Sequence, residues 1–70
     1  MRRRPLDSGA IASAGYDADA AVLELEFTSG EIYRYYAVPP SVHRSLLSAE
    51  SAGRYFRDHI REVYPAEHRR

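Results

Sequence analysis

Seventy residues with ten arginines, no lysine and ten carboxylates carry a formal net charge of zero; 44% of the chain is apolar and cysteine is absent. A chain of this size folds as one domain with a thin core, burying only about 60% of the surface its unfolded form exposes. Disulfide staples and thiolate zinc sites are excluded, and so is the overall basicity of a histone-like or ribosomal-tail protein.

Residues 1–9 are charged and turn-prone, and read as a flexible tail ahead of a single domain over 10–65. Met1-Arg2-Arg3-Arg4 resembles the basic start of a secretion signal, but Pro5-Leu6-Asp7-Ser8-Gly9 follows where an apolar stretch belongs. No run approaches the roughly 18 apolar residues of a membrane span, so a soluble, cytoplasmic chain with no membrane partner is expected. Ile11 to Tyr16 alternates weakly and predicts a first strand, followed by a turn at Asp17-Ala18-Asp19-Ala20. Val22 to Phe27 alternates cleanly, with Leu23, Leu25 and Phe27 on one face and Glu24 and Glu26 on the other. Thr28-Ser29-Gly30 turns the chain into Ile32-Tyr33-Arg34-Tyr35-Tyr36, a strand rich in β-branched and aromatic residues.

The register of this hairpin decides which tyrosines are buried. A two-residue loop at Ser29-Gly30 would pair Phe27 with Ile32 and place Arg34 on the apolar face. A type I turn with Gly30 in the left-handed position of a bulge pairs Phe27 with Glu31 instead. Tyr33 and Tyr35 then join Leu23, Leu25 and Phe27, and Arg34 lies beside Glu24 and Glu26. The bulge removes a charge from the apolar face, and is the expected form.

Val38-Pro39-Pro40 ends strand pairing, because proline offers no ladder donor. A short helix over Ser41–Ala49 follows, with Val42, Leu46 and Ala49 facing inward. Ser51 is a suitable N-cap for a second helix to about Val63, whose apolar stripe is Phe56, Ile60 and Val63. Pro65 stops it and 66–70 reads as a polar tail. The expected fold is α+β: a three-stranded antiparallel meander with two C-terminal helices packed on one sheet face.

Charge divides unevenly along the chain. Residues 5–43 hold six acids and one arginine, whereas 44–70 hold six arginines and four acids. An anionic partner is therefore expected at the second half or the ends. His43, His59 and His68 lack metal-ligand spacing, no nucleophile elbow or Ser-x-x-Lys is present, and the glycines form no phosphate loop. Neither catalysis nor a cofactor is expected. Two features carry binding chemistry. Tyr33-Arg34-Tyr35 places two aromatics on one strand face, suited either to a core or to stacking nucleic-acid bases. Arg54, Arg57 and Arg61, at i, i+3 and i+7, would form one helical stripe able to follow phosphates, or a solvated face with Asp58 and Glu62. Arg34 and Arg44 would support such a surface. Gly53, one turn into a helix, marks a close approach of backbones or an opening for a ligand.

The chain also resembles a known family. Gly15-Tyr16-Asp17, Leu23-x-Leu25-x-Phe27-x-x-Gly30, Tyr33-x-Tyr35 and Val38-Pro39 carry the likeness in the first half. Leu46-Leu47-x-Ala49-x-Ser51-x-Gly53-x-Tyr55-Phe56, Ile60-Arg61 and Tyr64-Pro65 continue it. In order and spacing these are similar to the KTSC domain, a module named after the C-terminus of some lysyl-tRNA synthetases and found as small stand-alone bacterial proteins. That association implies RNA binding. The competing expectation is a protein partner or a weak homodimer through the uncharged first strand, Ile11-Ala12-Ser13-Ala14.

Overall fold

The computed structural model describes residues 2–70. Among these, five antiparallel strands lie in chain order across one sheet, with two helices against one face. They are β1 (Arg3–Pro5), β2 (Ile11–Asp17), β3 (Val22–Phe27), β4 (Ile32–Tyr35) and β5 (Ala66–His68). Between the last two strands come α1 (Pro40–Ser48) and α2 (Ala52–His59).

The expected meander is the centre of this sheet, β2 to β4. The segments expected as tails supply its edges, which corrects the three-stranded reading. Arg4 pairs with Ala14 and Pro5 with Ser13, so β1 covers β2; Tyr35 pairs with Ala66, so β5 covers β4. These additions satisfy backbone groups that the inner strands would otherwise leave open. Ile11–Ala14 is therefore an interior segment and not the open edge expected of it. β5 is also held by side chains: the Tyr36 hydroxyl donates to Glu67 Oε1 at 2.6 Å and Arg69 Nη1 donates to the same oxygen at 3.2 Å. Those two donors hold the Glu67 carboxyl below its ordinary pKa, and the same bond raises Tyr36.

The β3–β4 hairpin takes the bulged form. Gly30 N–H donates to the Phe27 carbonyl at 2.9 Å, Phe27 N–H donates to Glu31 at 2.8 Å, and Gly30 has φ +97°. Glycine suits this position because a Cβ disfavours the left-handed region. Leu23 stands opposite Tyr35, Glu24 opposite Arg34 and Leu25 opposite Tyr33. The apolar face thus holds Leu23, Leu25, Tyr33 and Tyr35, and the helices cover it.

Ile11, Leu23, Leu25, Val38, Leu46 and Ile60 are fully buried, with Tyr35, Phe56 and Ala14 completing the core. Phe27 and Val42, expected inside, are only partly buried at its margin. Pro40 opens α1 at its first position, and Ser51 Oγ accepts the Arg54 N–H at 3.2 Å as the N-cap of α2. A Cβ on Gly53 would meet Ala10 Cβ at 3.2 Å, so this glycine serves the close approach of α2 to the start of β2.

The second helix is shorter than the periodicity predicts. At Ile60 the backbone leaves helical geometry (φ −124°), and both Ile60 and Arg61 N–H donate to the Phe56 carbonyl. Val63, expected on the apolar stripe, is consequently 61% exposed.

Candidate functional site

Between β4, β5 and α2 the apolar face is not fully filled. A groove of about 370 Å³ opens there, walled by Phe27, Tyr33, Tyr35 and Phe56 and rimmed by Glu31, Arg61 and Ala66. Its shape follows from strand parity: Tyr33 and Tyr35 are two apart on β4 and project to one side, where Phe56 of α2 meets Tyr35. Tyr35 and Phe56 pack edge to face with ring centroids 5.5 Å apart, Phe27 meets Phe56 at 5.2 Å, and Phe27 meets Tyr33 at 5.9 Å. Such edge contacts fix the rings in orientation.

Tyr33 carries a second ring. The imidazole of His68 stacks on it at 4.5 Å with 14° between planes, and His68 Nε2 lies 3.6 Å from Glu31 Oε2. Burial pushes the Tyr35 phenol up to about 12, aided by neighbouring Tyr33 and opposed by the Arg61 guanidinium. At neutral pH the groove is therefore lined by aromatic rings, a neutral phenol, a carboxylate and an exposed guanidinium. A planar ring can stack in such a space while an attached anion meets the arginine.

The residues singled out in the sequence do not all meet. Tyr33, Tyr35 and Arg61 converge on the groove. Arg34 is on the opposite sheet face, its Nε 2.8 Å from Glu24 Oε1. Arg57 pairs with Asp58 at 3.2 Å, and Arg54 lines a separate depression of about 250 Å³ with Glu50, Tyr55, Asp58 and His59. Arg44 is exposed on α1. The expected stripe of Arg54, Arg57 and Arg61 is not formed, because the helix ends at His59 before the i+7 position is reached.

Phe27 and Phe56 were legible as apolar, but their opening onto a groove depends on how far the helices extend over the sheet. Glu31 and His68 carry no binding signal in the sequence, the one being expected opposite Phe27 at the hairpin and the other in the polar tail. Each histidine instead packs against a tyrosine: His43 stacks on Tyr16 and His68 on Tyr33, while His59 lies tilted against Tyr55.

Residues 7–64 match the KTSC domain family model. An "Uncharacterized protein" of Stutzerimonas stutzeri (strain A1501) is 46% identical over 70 residues, covering all of this chain and 93% of that one. A lysine–tRNA ligase of Nostoc punctiforme is 34% identical over 61 residues, which are 87% of this chain and 11% of the ligase. The crystal structure of a KTSC domain protein from Yersinia pestis aligns with a TM-score of 0.95 at 35% identity, covering 99% of this chain and 97% of that one.

Proposed function

We infer, for a chain that belongs to the KTSC domain family, a non-enzymatic module that binds single-stranded RNA weakly and with little sequence preference. The observation that carries this reading is the groove in which Tyr33, Tyr35, Phe27 and Phe56 surround open space beside Arg61. Every base has a π-face, so aromatic stacking tolerates sequence, and it contributes about 1–3 kcal/mol per base. Arg61 supplies the phosphate contact that positions the strand. A related segment within a protein named as a lysine–tRNA ligase supports RNA as the polymer.

The dispersal of the arginines limits the electrostatic contribution. With one or two phosphates neutralised at the groove, the salt slope is about −0.7 to −1.4. The test is a titration with short RNA and DNA at low salt, following backbone amide shifts. Shifts should cluster at Tyr33, Tyr35, Arg61 and Ala66 and vanish in Arg61→Ala and Tyr33→Ala variants. Unmoved resonances at a large excess of RNA would refute the reading.

A further inference from the structure

The corner formed by β1, β2 and α1 concentrates positive charge. Arg4 pairs with Ala14, whose row continues through Leu25 and Tyr33, so Arg4 belongs to the helix-bearing face. Tyr16, two residues further along β2, lies on the same face and diagonal to Arg4, within reach of a long side chain. The His43 ring of α1 stacks on Tyr16 at 4.8 Å with 16° between planes. Tyr16 is itself fixed by donating its hydroxyl proton to the Val38 carbonyl. Arg44 follows His43 and is exposed.

The carboxylates of the neighbouring strands are turned away from this corner. Glu24 is opposite Gly15 on the other face, where Arg3 and Arg34 hold it. Asp17 faces that side too, and its Oδ1 accepts the Asp19 and Ala20 N–H groups. Burial, together with the nearby Arg4 and Arg44 guanidinium groups, holds His43 below its ordinary pKa. Six of the other arginines have acidic neighbours: Arg3 and Arg34 hold Glu24, Arg57 and Arg69 have ion-pair partners, Arg54 shares its depression with Glu50 and Asp58, and Arg61 shares the groove with Glu31.

Arg4 diagonal to Tyr16, His43 stacked on Tyr16 and Arg44 beside it bring two guanidinium groups and an imidazole to one corner, the kinds of donor that suit a tetrahedral oxyanion. We propose that Arg4, His43 and Arg44 form a phosphate-binding site, separate from the aromatic groove, for a phosphate of a nucleic-acid backbone or of a small phosphate ester. A bound phosphate offsets the like-charge repulsion and makes the protonated imidazole a third charged donor.

The experiment titrates the full chain with inorganic phosphate while following the His43 ring protons and the arginine Nε–H resonances. His43, Arg4 and Arg44 should move while Tyr33 and Arg61 stay in place. Arg4→Gln and Arg44→Gln should each weaken phosphate binding roughly tenfold, as expected for one charge-assisted hydrogen bond. Arg57→Gln, whose charge is already paired, should leave it unchanged. A second arm uses an oligoribonucleotide without terminal phosphates. A His43 response to that strand assigns the site to backbone phosphate, and a response to inorganic phosphate alone assigns it to a small ester. A stationary His43 with both probes, or equal phosphate affinity in all variants, overturns the proposal even if Tyr33 responds to RNA. Conversely, a responding His43 with a silent Tyr33 overturns the groove reading alone.

Discussion

Arg34 Nε lies 2.8 Å from Glu24 Oε1, across the β3–β4 pair and on the sheet face opposite the helices. The second carboxylate oxygen accepts Arg3 Nη1 at 3.2 Å from β1, two strands away. Gly15 is what permits that reach: it lies in register between Arg3 and Glu24 and puts no side chain in the way. Glu24 is only 8% exposed, so one nearly buried carboxylate links three strands, including a terminal strand of three residues.

Glu24→Gln should therefore destabilise the fold by about 1–3 kcal/mol, because a charged acceptor of two guanidinium groups is lost from a nearly buried site. Denaturant unfolding measures the change. The amides of β1 should also exchange faster in the variant, and a cost indistinguishable from zero with β1 protection unchanged would contradict the linkage.

Tyr35 sets an alkaline limit. Its phenol is pushed up to about 12 in the folded chain, against about 10 for an unfolded tyrosine. Between those values the folded state retains a proton that the unfolded state has released. The stabilising contribution is complete below about pH 10 and is lost as pH rises through about 12. Phenolate absorbance should show a late-ionising component, to which the raised Tyr36 also contributes, and that component should shrink by one tyrosine in Tyr35→Phe. Unfolding midpoints measured over the same range should fall more steeply for the wild type than for that variant.

Two alanines adopt left-handed backbone, Ala21 at φ 57° and Ala37 at φ 60°. Val38, next to Ala37, donates its N–H to the Ala21 carbonyl at 2.9 Å, which seats the fully buried Val38. A Cβ in this region costs about 1–2 kcal/mol, and glycine returns part of that as unfolded-state entropy. Ala37→Gly should leave stability equal or raise it by up to about 1 kcal/mol, whereas Ala37→Val, branched at Cβ, should lower it. Thermal melts of the two variants decide, and a Gly variant melting below the Val variant would contradict the strain.

The central hairpin was legible because one arrangement puts a guanidinium among apolar rings and the other puts it beside carboxylates. Ser51 announced the start of α2 through its side-chain oxygen, and the hydrogen bond to Arg54 N–H is there. The edge strands were not legible, since Arg3–Pro5 and Ala66–His68 are too short and too polar to alternate; only pairing with β2 and β4 makes them strands. The end of α2 was also hidden, because Val63 continues the apolar spacing that the backbone abandons at Ile60. That early stop separates Arg61 from Arg54 and Arg57. The candidate site was thus legible in Tyr33 and Tyr35, and its enclosure by Phe56, Glu31 and His68 depends on tertiary packing.

The bulge at Gly30 makes the groove a matter of register. Side chains along β4 change face at every step, so their destination depends on whether the turn between Phe27 and Ile32 closes with the bulge or without it. Closing that turn without the bulge leaves every aromatic ring in the chain, yet sends Tyr33 and Tyr35 outward and brings Arg34 onto Leu25. The groove is in this sense encoded by the backbone conformation of one turn as much as by the identity of its walls, and losing the bulge there is a more drastic change than any one substitution within it.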